Sequence, residues 1–261
     1  MTRLTSLILP AFNPGPAVET TWAEVERFVA AQDTPWEAVF VLDGCTDDSP
    51  ERLAKLARGS TRCRVVSYEQ NRGKGHAVRT GLLAARGAYR IFTDVDLAYP
   101  FEDVLRVAEA LRGGSPVAVG SREHPESELR MPVALLGYVR RRQFQSRIFG
   151  ALARTLLPIA QRDTQAGLKG MTAAVAKAIV PELRCDGFGF DCELLTACAR
   201  SGVAVTEVPV CVRYDTAATT TGAGSTLRML RELWQIRRSW WGRSVTIEAA
   251  AEPIHEQRTA A

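Results

Sequence analysis

Through its first 120 residues the chain alternates two hydrophobic periods, and this restricts the fold more than any other feature. Leu4–Pro10 is a short apolar run, followed by the turn cluster Asn13-Pro14-Gly15-Pro16. Ala17–Gln32 then places Val18, Trp22, Val25 and Val29 at the 3–4 spacing of one buried helix face. The same exchange repeats: apolar runs at Glu37–Leu42, Arg64–Tyr68, Ala88–Thr93 and Val117–Gly120, with helical segments after Asp47 or Ser49, over Lys74–Arg86 and over Phe101–Leu111. Short strands alternating with helices of this length predict an α/β fold, a mostly parallel sheet with helices on both faces. Such sheets bind ligands at the carboxyl ends of their strands. Asn13, Asp43, Asp94, Asp96, Ser121 and Arg122 each fall just past a strand and become the first candidates.

The second half follows a different pattern. Met131–Leu157 reads as one long helix or a broken pair, and from Arg130 to Arg162 there are seven arginines and no acid. Thr172–Val180 and Cys192–Ser201 read as helices. Val203–Val212 reads as a strand whose Pro209 suggests an edge or a bulge. Leu227–Trp241 is amphipathic, and from about Val245 no buried pattern remains, which predicts a loose tail over 245–261. The formal net charge of +4 is too small to imply nucleic acid. No apolar run reaches the ~18 residues of a membrane span. The apolar start lacks a small-residue cleavage site and reads as a buried strand rather than a leader. Six cysteines without a CxxC pair suit a reduced, cytoplasmic protein.

Several short motifs carry chemistry. Asp94-Val95-Asp96 sets two carboxylates at a strand end, where they can converge on one Mg²⁺ or Mn²⁺ or simply form a solvated turn. Asn71-Arg72-Gly73-Lys74-Gly75-His76 opens a helix and is either a plain glycine-rich turn or an anion cradle of free N–H groups. Asp43-Gly44-Cys45-Thr46-Asp47-Asp48 suits a nucleoside contact or helix capping. Asp163–Lys169 and Gly187–Glu193 place polar groups among glycines, as tight turns or as walls of a substrate site.

In order, LILPAFNPG, VLDGCTDD, NRGKGHAVRTGLLAARG, FTDVDLAYP, GSR, RDTQAGLKG, GFGFDCELL, EVPV and GSTLRMLRELWQIR resemble the family 2 glycosyltransferases, within them the polyprenyl-phosphate branch that includes dolichyl-phosphate glucose synthases. The likeness runs from about Leu4 to Trp241. It implies the GT-A (Rossmann-like) fold over 1–244, with a nucleotide-sugar half (1–122), an acceptor half (123–244) and a C-terminal amphipathic helix. It also implies a divalent ion on Asp94 and Asp96, and a nucleotide-sugar pocket formed by Pro10, Ala11, Asn13, Asp43, Gly73, Lys74, Arg79, Asp94 and Val95. By the same resemblance Asp191 and Glu193 match the catalytic carboxylate position, and Arg122, Arg142, Gln165 and Lys169 are expected to face the acceptor. Three departures stand out: Pro14 replaces a common acid, Leu42 replaces an acid before Asp43, and Ala98 cannot supply a third metal ligand.

The expected reaction is inverting transfer of a hexose, glucose from UDP-glucose, to a polyprenyl phosphate. A small soluble natural-product alcohol is the alternative acceptor. With a phosphate acceptor Asp191 positions substrate, and with an alcohol Asp191 or Glu193 serves as base. The arginine run is either a solvated face or the grip on an acceptor phosphate, Arg142 acting with Arg122. Met229, Leu230, Leu233, Trp234, Ile236, Trp240 and Trp241, beside Arg228, Arg231, Arg237 and Arg238, form either an interfacial membrane helix or one packed on the protein or a second copy. The partners expected are therefore a nucleotide sugar, a lipid phosphate and the cytoplasmic membrane face, with self-association left open.

Overall fold

The computed structural model describes residues 3–187, 189–213 and 224–247, excluding the side chains at 133, 136, 138, 140, 142, 145 and 224–230. The first half runs β1 (Thr5–Ala11), α1 (Ala17–Ala30), β2 (Trp36–Asp43), α2 (Ser49–Ala57), β3 (Cys63–Tyr68), α3 (Lys74–Ala84), β4 (Tyr89–Phe92), α4 (Phe101–Arg112) and β5 (Val117–Ser121). These match the alternation read from the sequence, with shifts of a residue or two at the ends. After them come β6 (Glu128–Arg130), α5 (Leu136–Leu156), β7 (Lys169–Thr172), α6 (Ala173–Ile179), α7 (Phe190–Arg200), β8 (Val205–Pro209), β9 (Cys211–Arg213) and α8 (Gly224–Ser239).

Seven strands form one sheet in the order β3-β2-β1-β4-β7-β5-β8, and β6 pairs with β9 separately. All pairs in the large sheet are parallel except those of β7, which runs against both β4 and β5. Period-2 alternation splits the core. Ile8, Val39, Val41, Val119 and Met171 face one side, under α3, α6, α7 and α8. Leu7, Leu9, Ala38, Phe40, Leu42 and Ile91 face the other, with Trp22 of α1 stacked on Phe40 at 4.9 Å. Both faces are therefore covered, as continuous apolar strands require.

Besides the added short strand β6, the second half differs from its expected elements in three places. The segment from Lys169 forms a strand before helix α6, because a four-residue run inserted between two strands carries too little pattern to announce itself. The predicted strand around Pro209 divides into β8 at the sheet edge and β9 in the small sheet, since proline cannot continue the ladder. Val245 and Ile247 pack on the core, and Val245 N–H donates to Ser201 Oγ at 3.0 Å, so the first residues of the expected loose tail are anchored, while 248–261 lie outside the described residues.

Candidate active site

The carboxyl ends of β1, β2 and β4 converge with the loops around β7 and α7. Asn13 adopts a φ of 46°, a conformation asparagine tolerates better than most residues. Its side-chain oxygen accepts from Thr46 N–H at 2.8 Å and its amide donates to Thr46 Oγ1 at 3.2 Å. Asn13 therefore stitches the loop after β1 to the loop after β2. Beneath it, Pro10 and Ala11 are buried in β1. Asp47 accepts from Gly15 N–H at 2.8 Å and from Ser49 Oγ at 2.8 Å, bracing the two loops rather than capping α2 alone.

Asp43 is 3% exposed, and its carboxylate accepts from Arg72 N–H (2.8 Å), Gly73 N–H (2.9 Å) and Tyr68 Oη–H (2.9 Å). Burial, then the Asp43 contact, push the Tyr68 phenol pKa up. Asp43 thus shapes the glycine-rich loop from below. Gly73, at a φ of 100°, lies where a Cβ would sit 2.5 Å from the Asp186 carbonyl, and Gly75 N–H donates to that same oxygen at 2.8 Å. The amides of residues 72, 73 and 75 are consequently engaged within the protein, in keeping with the glycine-rich turn, the first of the two readings of this loop. Arg79, expected toward the diphosphate, instead binds the Leu183 carbonyl and the Asp186 carboxylate.

Lys74 supplies the charge this loop presents. Its Nζ lies 2.5 Å from Asp94 Oδ1. Burial opposes the ammonium, but Asp94, Asp191 and Asp96 outweigh it and raise its pKa. Asp94 and Asp96 follow β4 on a turn closed by Leu97 N–H to the Asp94 carbonyl at 3.1 Å, with Leu97 held at a φ of 51°. Asp96 Oδ1 accepts from Ala98 N–H at 3.1 Å, and the Val95 carbonyl accepts from Thr21 Oγ1 at 3.2 Å. A Cβ on Gly167 would stand 2.1 Å from Asp94 Oδ2, so only glycine permits this approach. Tyr99 Oη accepts the Gly167 N–H at 3.1 Å and holds the loop there.

Among the described residues, no group of three or more His, Cys, Asp or Glu side chains forms a metal-binding set. The pair Asp94 and Asp96 is a hard, all-oxygen donor set that leaves room for phosphate oxygens and water. That fits Mg²⁺ or Mn²⁺ shared with a diphosphate.

The two carboxylates of α7 occupy different environments. Asp191, 6% exposed, receives a 2.6 Å hydrogen bond from Lys169 Nζ, which is fully buried and also donates to the Ala166 carbonyl at 2.5 Å. Glu193 is 1% exposed and accepts from Arg184 N–H (2.8 Å), Cys185 N–H (2.7 Å) and Trp240 Nε1–H (3.1 Å). It pins the loop before α7. Glu232 of α8 pins the same loop by accepting Gly189 N–H at 2.8 Å, and Gly187 and Gly189 are small where its carboxylate presses in. Glu232 was invisible in sequence, since one acid on a basic amphipathic helix has no pattern of its own.

Arg122, expected to face the acceptor, is bound to Asp163, with Nε on Oδ2 at 2.7 Å and Nη2 on Oδ1 at 2.8 Å. Burial acts to raise the Asp163 pKa, but Arg122 overrides it and holds the carboxyl at about 2. Gln165 N–H donates to Asp163 Oδ1 at 3.1 Å. Lys169, wholly enclosed, reaches the site only through Asp191. The side chain of Arg142 lies outside the described residues. The apolar stripe of α8 divides: Leu233, Ile236 and Trp240 are buried, while Trp234 and Trp241 are exposed. Arg238 covers Trp234 and Arg237 covers Trp241, at 5.8 and 5.5 Å from the ring centroids. Met229, Leu230 and Arg228 have side chains outside the described ones.

Residues 6–175 match the glycosyl transferase family 2 model. The dolichyl-phosphate beta-glucosyltransferase of Saccharomyces cerevisiae is 28% identical over 253 residues, covering 90% of this chain and 74% of that one. Glycosyltransferase AglD of Haloferax volcanii is 29% identical over 90% of this chain, which spans 37% of AglD. Among solved structures, glucosyl-3-phosphoglycerate synthase of Mycobacterium tuberculosis, in a complex with Mn²⁺, UDP and glucosyl-3-phosphoglycerate, superposes with a TM-score of 0.61. It is 21% identical, over 92% of this chain and 80% of that one.

Proposed function

Since the chain belongs to glycosyl transferase family 2, we propose that it transfers glucose from UDP-glucose to a polyprenyl phosphate, with inversion and with the aid of a divalent cation. The observation that carries this reading is the likeness to dolichyl-phosphate glucosyltransferases over nine tenths of the chain. Lys74, Asp94, Asp96 and Asp191 lie close enough to couple electrostatically, as a site acting on a diphosphate needs.

Asp94 and Asp96 would hold the cation, which supplies charge neutralisation to the departing diphosphate. Lys74 adds a second positive charge at the same place, exchanging its hold on Asp94 for the phosphate oxygens. Asn13, Pro10 and Ala11 wall the nucleoside side, and Asp43 acts by shaping the loop that carries Lys74. A lipid phosphate, with a second pKa of about 6, is already a nucleophile at neutral pH. Asp191 then needs only to orient the reacting groups, and Lys169 fixes its direction. Glu193, with both oxygens occupied, is assigned a positioning role behind it.

No helix among the described residues is long and apolar enough to cross a membrane. Phe144, Ile148 and Leu152, spaced four apart on α5, are exposed, as are Trp234 and Trp241. Arg237 and Arg238 flank the tryptophans. This combination suits peripheral contact with the anionic cytoplasmic face of a bilayer, where the lipid acceptor resides.

The test is a panel of nucleotide sugars with Mn²⁺ or Mg²⁺, read as nucleoside diphosphate released with and without a short-chain isoprenyl phosphate. Glucose incorporation from UDP-glucose, dependent on the isoprenyl phosphate, is expected. Turnover on a soluble alcohol alone would overturn the acceptor assignment.

A further inference from the structure

The arginine-rich segment builds a cleft of about 220 Å³ whose lining includes none of Lys74, Asp94, Asp96 and Asp191. Ser146, Arg147, Gly150 and Arg154 of α5 form one wall, and Arg162 and Thr164 form the other. Residues 146, 147, 150 and 154 share one helical face, turned away from the exposed stripe at 144, 148 and 152. The absent side chain of Gly150 keeps the middle of the wall open.

The charges around this cleft do not balance. Its two acids are already answered: Glu123 by Arg147 at 2.9 Å, and Asp163 by Arg122 at 2.7 Å. Arg154 gives one N–H to the Arg162 carbonyl at 2.5 Å and the Arg162 backbone N–H donates to Glu207 Oε1 at 3.1 Å, but among the described residues no carboxylate forms a salt bridge with the guanidinium of Arg154 or of Arg162. Two guanidinium groups therefore line one small cleft without a directly paired carboxylate.

A second observation is independent of charge. Thr164 is 1% exposed, and its Oγ1 is buried without a hydrogen-bond partner. The Cys192 thiol interacts with it, and a thiol is a weak hydrogen-bond partner that leaves the hydroxyl far from satisfied. A buried hydroxyl left unpaired costs stability unless a ligand completes it. Asp163, which lines the cleft, holds Arg122, so the cleft adjoins a residue expected to face the acceptor.

The geometry points to a phosphate-monoester site in this cleft, with Arg154 and Arg162 as charge partners and Thr164 as the buried donor. It deepens the acceptor reading under Proposed function and rests on it for the identity of the ligand. The chemistry of the cleft does not require a lipid: two arginines and a hydroxyl bind the phosphate and leave its ester group to extend outward.

The test is calorimetric titration of the full chain with a short-chain isoprenyl phosphate, glycerol 3-phosphate and inorganic phosphate, at fixed salt. Wild type is compared with Arg154→Gln/Arg162→Gln and with Thr164→Val, and UDP binding to each variant checks its fold. At least one monoester should bind wild type, weakening about tenfold or more in the double variant and a few-fold in Thr164→Val. Equal affinities in all three proteins, or binding of inorganic phosphate with neither ester, would overturn the site. If the double variant fails to fold, the near-isosteric Thr164→Val carries the comparison. Dependence on Arg154 and Arg162 for glycerol 3-phosphate alone would keep the site and remove the lipid reading. Glucose transfer to isoprenyl phosphate undiminished in the double variant would do the reverse.

Discussion

Lys74 Nζ and Asp94 Oδ1 are 2.5 Å apart, so a carboxylate suited to a metal is held by an ammonium in the same site. The pair is partly exposed, and water or a cation can exchange with it. Replacing Lys74 by Gln removes the competitor for Asp94 while removing a positive charge from the diphosphate side. Mn²⁺ should then bind a few-fold more tightly without nucleotide, and UDP about tenfold more weakly in the presence of Mn²⁺. Paired Mn²⁺ titrations, with and without UDP, separate the two effects. A variant that loses affinity for both ligands equally would show that Lys74 only supports the loop.

Asp191 and Lys169 form a pair enclosed on nearly every side. Breaking such a pair from one side leaves an uncompensated buried charge, at a cost of about 3–5 kcal/mol. Lys169→Met and Asp191→Asn should each lower the unfolding free energy, the first by that amount. The double variant should be less destabilised than the sum of the two, with a coupling of about 1–3 kcal/mol. Urea denaturation of the four proteins measures it. Additive losses would mean that the two residues do not share a charge balance.

Much of the first half was legible because each strand is a clean apolar run and each helix shows one buried face. Asp94, Asp96, Lys74 and Asp191 belong to motifs, and the structure brings them together. What sequence could not convey was occupancy. Nothing in the spelling of VLDGC shows that Asp43 is spent on Arg72 and Gly73 amides, nor that Arg122 is spent on Asp163. Such pairs join residues 29 to 41 positions apart and depend on the fold that forms them. The amphipathic pattern of α8 was visible, but which of its tryptophans face the core was decided by Glu193 buried beneath Trp240.

Trp240 and Glu232 connect α8 to the loop preceding Asp191. Trp240→Phe keeps a six-membered aromatic ring but removes the pyrrole ring and its N–H, leaving one oxygen of buried Glu193 short of a donor, a loss of about 1–3 kcal/mol to which the small cavity adds. Glu232→Ala frees Gly189 N–H and opens space beside Gly187. Its expected signature is a fall in kcat with the donor KM little changed, because the loop carrying Asp191 loosens while Lys74 and Asp94 stay in place. Glu232→Gln retains an acceptor for the Gly189 amide and should recover most of the loss. Equal kcat in Glu232→Ala and wild type would detach α8 from the chemistry.

The Arg122–Asp163 pair sets an acid limit on stability. Asp163 titrates at about 2 in the folded chain, below its ordinary value near 3.8. A depressed folded value means that its stabilisation is fully present above about pH 4 and is lost as pH falls through about 2. The difference amounts to roughly 2–3 kcal/mol. Unfolding free energies of wild type and Asp163→Asn should therefore differ by a constant amount above about pH 5 and converge between about pH 4 and pH 2. A gap independent of pH down to about 2 would exclude ionisation of Asp163 as its source.

Gly167 lies where a Cβ would stand 2.1 Å from Asp94 Oδ2, closer than nonbonded atoms tolerate. Gly167→Ala must displace something, and the Asp94 carboxylate is the movable part, being one third exposed. Rotating it away costs the fold about 0.5–1.5 kcal/mol, the price of a poor rotamer. The same rotation takes Asp94 off the position from which it would meet a cation together with Asp96. Cation-dependent turnover should fall about a hundredfold or more while urea stability drops by no more than about 1.5 kcal/mol. Asp94→Ala, which removes the ligand outright, should abolish turnover with a similarly small change in stability. Measuring both quantities on both variants separates a displaced ligand from a disrupted fold. Normal turnover in Gly167→Ala would mean that Asp94 need not hold its observed position.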